Sequence, residues 1–84
     1  SAAVFGEVSV GAATWIGPNT LLDGSGGGIE IGAHCSISSG VHIYTHDTVL
    51  WALSGGRCQR REDSVRIGDC VYIGSQSVIA AGVT

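Results

Sequence analysis

Aliphatic residues stand six apart along most of this chain. Val4, Val10, Ile16 and Leu22 set the beat, which resumes after DGSGGG at Ile31, Ile37, Ile43 and Val49, and again at Ile67, Ile73 and Ile79. Four residues behind most beats stands a small or β-branched residue: Val8, Thr14, Thr20, Cys35, Val41, Val71, Ser77 and Val83. Gly often follows the beat directly, as at Gly11, Gly17, Gly32, Gly68 and Gly74. Three coupled positions held in phase over so many units are the mark of an internal repeat.

A period of six matches neither the 3.6 of a helix nor plain two-residue alternation. It fits a short strand plus a turn. The beat residue points inward and stacks on its counterpart in the next coil, while Gly or Asn takes the unusual backbone angles of the corner. Three six-residue sides make one triangular coil, and coils that hydrogen-bond to one another form a parallel β solenoid. The fold expected is therefore all-β.

The units IGPNTL, IGAHCS, IGDCVY, IGSQSV and IAAGVT resemble the hexapeptide-repeat family: an aliphatic residue, Gly or a small residue, two variable positions, a small residue and one more. The resemblance covers most of the chain outside two interruptions. It implies a left-handed parallel β-helix, usually assembled as a homotrimer. The handedness comes from the resemblance alone, since the general crossover rule for parallel strands would give the opposite hand. Residues 1–84 are read as a single β-helix domain, with coils over 4–49 and 65–84 and an external loop over 50–64. The absence of Met at the start and of any closing motif after Val83 suggests an excerpt of a longer protein.

Composition narrows the functional classes. The 84 residues carry a net charge of −3 with four Arg and no Lys, which is not the basic footprint of a nucleic-acid or acidic-membrane binder. No apolar run is long enough for a transmembrane helix, and no signal-peptide layout opens the chain. Cys35, Cys58 and Cys70 are odd in number and lack CxxC or Cys/His ligand spacing, so neither a disulfide framework nor a structural zinc site is expected, and a reducing cytoplasm fits. Fourteen Gly among 44% hydrophobic residues point to a packed structure rather than disorder. A lone domain of this size buries only a modest core, which a trimer would remedy.

Loops inserted at solenoid corners are released from stacking and are where function gathers. DGSGGG, residues 23–28, reads as a loose glycine corner; without a following Lys-Ser/Thr and helix it is not a phosphate loop. LWALSGGRCQRREDS, residues 50–64, holds a Trp and all but one of the arginines. It reads either as a solvated protrusion or as a flap walling a cleft with a neighbouring subunit.

SSGVHIYTHDT resembles the catalytic stretch of hexapeptide acyltransferases, sugar and nucleotide-sugar acetyltransferases in particular. By that resemblance His46 is the general base, taking a proton from an acceptor hydroxyl or amine as it attacks the thioester of acetyl-CoA. Histidine suits the role because it titrates near neutrality. Asp47 would hold the imidazole or the flap, although Pro is common at that position in the sugar acetyltransferase branch. It also falls on a small inward position of the repeat, where a carboxylate needs hydrogen bonds.

YIGSQS resembles the stretch bordering the thioester, which casts Tyr72, Gly74 and Ser75, with Ala80 and Ala81 beyond them, as contacts to acetyl-CoA. Asn19, Asp23, Tyr44 and Trp51 are cast as contacts to a sugar or nucleotide-sugar acceptor. No metal is required. His34 and His42 fall at outward positions and read as surface residues, His42 alternatively lining the cleft. Two competing readings stand beside the transferase: a zinc-dependent carbonic anhydrase-like protein on the same fold, and a non-catalytic solenoid or trimerisation module.

Overall fold

A computed structural model describes residues 2–84 of the chain. Nearly all its regular structure is strand: β1 (Ala3–Val10), β2 (Trp15–Ile16), β3 (Leu21–Ile31), β4 (Ser36–Ile37), β5 (His42–Tyr44), β6 (His46–Asp47), β7 (Arg61–Glu62), β8 (Val65–Ile67), β9 (Tyr72–Ile73) and β10 (Val78–Ile79). Among the described residues a single short helix, α1 (Val49–Leu53), interrupts them. The fold is all-β and its sheets are small and mainly parallel. One runs in the order β1-β3-β5-β10 with β8 also on β3, and a second in the order β2-β4-β9. Among the described residues only β6 and β7 pair antiparallel.

The pairing explains the beat. Val4 lies beside Leu22 and Leu22 beside Ile43, while Ile16, Ile37 and Ile73 form a second column and Val10, Ile31 and Ile67 a third. Leu22, Ile29, Ile31, Ile37, Val41, Ile43, Val65, Ile67 and Ile73 make the buried core, joined by the Cys35 thiol, which donates to the Gly68 carbonyl oxygen. Along each strand the neighbours of a beat residue face out, as alternation requires. In β5, Ile43 is buried while His42 and Tyr44 are half-exposed. Val4 and Val10, on the outermost strand, have no neighbour on one side and remain exposed.

Two expectations change. The left-handed backbone conformation falls on the third residue after a beat, on Asn19, Gly40 and Gly82 as expected of Gly and Asn but equally on Ala13, His34, Cys70 and Gln76, and not on the Gly directly after a beat. Gly serves a different need: a β-carbon at Gly11 would stand 2.6 Å from the backbone of Gly32, and one at Gly32 would stand 2.7 Å from that of Gly68. Close stacking, rather than unusual φ, excludes a side chain at Gly11 and Gly32. Val49 is also not a coil residue. It opens α1, is 59% exposed, and belongs to the excursion, which leaves the core after Thr45.

Candidate functional site

The residues 23–28 that read as a loose corner lie within the 11-residue strand β3. Its register with β1 jumps here: Gly6 lies opposite Gly24, but Val8 lies opposite Ile29, so the extra residues of β3 bulge outward. A β-carbon at Gly24 would meet the Glu7 carbonyl, and one at Gly26 would stand 2.5 Å from the Thr45 carbonyl oxygen and 3.0 Å from Cβ of His46. The glycines therefore form a floor onto which the next pass of the chain presses directly.

Thr45 is fully buried and fastens that pass to the floor. Its hydroxyl donates to the Asp23 carbonyl oxygen at 2.8 Å and accepts from the Gly26 N–H at 2.8 Å, while its own N–H reaches the Asp23 carbonyl at 3.2 Å. The Thr45 carbonyl oxygen accepts from the Asp63 N–H at 2.9 Å, closing the neck of the excursion. Above that neck β6 and β7 form a two-stranded ribbon, with His46 opposite Glu62 and Asp47 opposite Arg61. Beyond it α1 exposes Leu50, Trp51 and Leu53.

This framework brings the side chains of Asp23 and His46 together. Nε2 of His46 lies 3.2 Å from Oδ2 of Asp23, with the two side chains 27% and 17% exposed. The other carboxylate oxygen of Asp23 accepts from the Ser25 hydroxyl at 2.6 Å and the Ser25 N–H at 3.1 Å. The Ser25 hydroxyl is the main cause holding the Asp23 carboxyl below the usual carboxylate range; partial burial opposes it, and the Ser25 N–H and His46 assist. An ionised carboxylate only accepts hydrogen bonds, so the Nε2 that faces Asp23 is the ring nitrogen suited to carry a proton, which leaves Nδ1 as the acceptor in the neutral ring. A half-exposed imidazole in that tautomer, oriented by a carboxylate, is equipped to accept a proton from a bound group.

Asp47 takes another course. It is half-exposed rather than inward, and its carboxylate accepts from the Val49 N–H at 3.3 Å at the start of α1. The carboxylate beside His46 is Asp23, which the linear sequence places far away and the β3–β5 pairing returns. Tyr44 lies opposite Asp23 in that pairing, and its hydroxyl is 3.0 Å from Nδ1 of His42, with the two rings edge to face. Asp23, Tyr44 and His42 thus line one outward patch.

The remaining predicted positions are dispersed. Tyr72 stands 72% exposed on β9 in the other parallel sheet, and Gly74 and Ser75 follow in the turn after it. Ala80 is exposed, whereas Ala81 is buried, so its side chain packs in the core and offers no surface to a cofactor. Asn19 is a corner residue with φ 57°. Trp51 lies on α1, 51% exposed.

No family model matches the chain. Among the described residues no group of three or more His, Cys, Asp or Glu side chains is placed to hold a metal ion, and His42 and His46 each face a different partner. All three cysteines are free. Among the described residues no helix is long and apolar enough to cross a membrane. Ser25, Gly26 and Thr45, which hold Asp23 and His46 in place, are positions that sequence reading overlooked. The two-residue alternation could have found Thr45: with Ile43 inward and Tyr44 outward, Thr45 must point in, whereas the six-residue pattern drew attention to Asp47.

Proposed function

We propose that this chain is an acyltransferase that moves an acetyl group from acetyl-CoA to a hydroxyl or amino group of a sugar or nucleotide sugar. The observation that carries the reading is the Asp23–His46 contact at 3.2 Å, at the point where the chain leaves its parallel sheets. Nδ1 of His46 takes the proton from the acceptor as its oxygen or nitrogen attacks the thioester carbonyl. Asp23 stabilises the imidazolium that results and holds the ring in position. The tetrahedral adduct collapses with loss of the CoA thiolate, and the imidazolium returns its proton to that sulfur. The developing oxyanion needs hydrogen-bond donors, a role for backbone N–H groups or for Ser75 of a neighbouring subunit.

In this reading the three columns of stacked residues wind as a left-handed parallel β-helix. Pairing offsets support three sides to a coil, since the hydrogen bond from Thr14 to Gly32 spans 18 residues, three times the six-residue period; the left hand rests on the resemblance. Three such chains then associate as a trimer. Tyr72, Gly74, Ser75 and Ala80, remote from His46 within one chain, would face acetyl-CoA across the cleft between two subunits.

The test is acetyl transfer from acetyl-CoA to a panel of sugars, amino sugars and nucleotide sugars. His46→Ala is expected to lower turnover by about 10²- to 10⁴-fold, the range of a lost general base. Asp23→Asn should lower it too, by up to about 10⁴-fold, by favouring the wrong imidazole tautomer. Wild-type levels in His46→Ala would remove the residue from the mechanism.

A further inference from the structure

An open concavity lies on the excursion. It holds about 490 Å³ and is lined by Thr48, Trp51, Gln59, Arg60 and Glu62. Glu62 lies directly opposite His46 in the β6–β7 ribbon. Directly opposed residues of an antiparallel pair, and residues two apart along each strand, share one face. Glu62 therefore stands on the face that carries the His46 imidazole, and the cavity that Glu62 lines borders that face.

The lining describes its occupant. Trp51 presents an indole backed by the Gly55-Gly56 turn: a β-carbon at Gly56 would stand 3.7 Å from its Cε2 and Nε1, and the Gly56 N–H bonds the Trp51 carbonyl. A ring fixed on one side and open on the other is a stacking platform for a flat partner. The rim supplies an amide in Gln59, a hydroxyl in Thr48 and a carboxylate in Glu62, which together match the donor and acceptor edge of a heteroaromatic ring. Charge adds a second preference. Arg57, Arg60 and Arg61 are three of the four Lys and Arg residues of a chain whose net charge is −3; Arg60 faces Glu62, while Arg61 lies opposite Asp47 and near Asp63. Arg60 bonds Glu62 through one Nη, and the Arg61–Asp63 pair is loose at 3.7 Å, so guanidinium N–H groups remain for an anion.

We infer that this cavity binds a nucleoside diphosphate group, its base stacked on Trp51 and its phosphates against Arg60. Given the transferase reading on which this rests, the acceptor is a nucleotide sugar, the nucleotide anchoring it while the sugar extends toward His46. The cavity is the specificity site and the dyad the chemical one.

Titrating the Trp15→Phe protein, in which Trp51 is the sole tryptophan, tests this by fluorescence with uridine and adenosine diphosphates, the free nucleosides and methyl glucoside as probes. A nucleoside diphosphate should quench Trp51 saturably, the nucleoside should bind more weakly, and methyl glucoside should do nothing. By calorimetry Trp51→Ala should weaken the diphosphate by roughly 5- to 100-fold, the range for one lost stacking partner. Arg60→Gln should bring diphosphate and nucleoside affinities together. Unchanged fluorescence with both diphosphates, or methyl glucoside competing equally, overturns the inference. Turnover separates the two claims: acetylation of simple sugars by a protein blind to nucleotides keeps the transferase and refutes this cavity. Nucleotide binding without any acetyl transfer keeps the cavity and refutes the transferase.

Discussion

Asp23 accepts two hydrogen bonds from Ser25 and lies 3.2 Å from Nε2 of His46, and its ordinary pKa is lowered chiefly by the Ser25 hydroxyl. Its carboxyl titrates lower in the folded chain than in the unfolded one, so ionisation favours the fold. That stabilisation is complete above the unfolded value of about 4 and is lost as pH falls through the lower folded value. Asp23→Asn should therefore reduce the unfolding midpoint at neutral pH, with the gap to wild type closing below about pH 4; a gap that stays constant into acid would contradict the assignment. Thr45 offers a sharper probe. Thr45→Val leaves the Gly26 N–H without its partner and should cost about 1–3 kcal/mol in denaturant unfolding, whereas Thr45→Ser keeps the hydroxyl and should cost less. Equal losses from the two would mean that the hydroxyl contributes nothing.

At the scale of elements, the glycines divide into those that permit contact and those that only fill a position. Gly26→Ala drives a β-carbon into the Thr45 carbonyl and should destabilise by about 1–3 kcal/mol while displacing His46. Gly68→Ala meets nothing within 4 Å and should stay within about 0.5 kcal/mol of wild type. Thermal melts of the two variants side by side check the contrast. The inward columns were legible in the sequence because Ile and Val at a fixed period are what a narrow core demands. The corner conformation was not, because left-handed φ falls on Ala13, His34 and Cys70, whose side chains carry no sign of it. The partner of His46 was equally hidden. Asp23 and His46 meet only through pairing of β3 with β5, and the nearer Asp47 fitted the same chemistry on paper.

Over the whole molecule, a body of 43 × 19 × 18 Å leaves much of its surface close to its core. Phe5 and Val78 stand 55% and 65% exposed on the sheet containing β1 and β10, and Trp15 and Tyr72 stand 55% and 72% exposed on the other parallel sheet. The proposed trimer would cover part of this surface. Sedimentation should show the trimer for wild type and smaller species for Phe5→Glu combined with Val78→Glu; a wild type that sediments as a monomer would remove the intersubunit cleft.

The spacing between stacked residues has a kinetic and energetic side as well. Ala3 meets Leu21 after 18 residues, but His42 meets Val78 only after 36, because the flap lies between them. Closing a loop of twice the length costs about 0.6 kcal/mol in chain entropy, and the bond between Thr45 and Asp63 pinches the neck so that even this is an upper figure. Lengthening, trimming or exchanging the segment beyond that neck should therefore leave the unfolding free energy almost unchanged. What the chain recognises can vary at one corner while the scaffold that positions the base stays as it is.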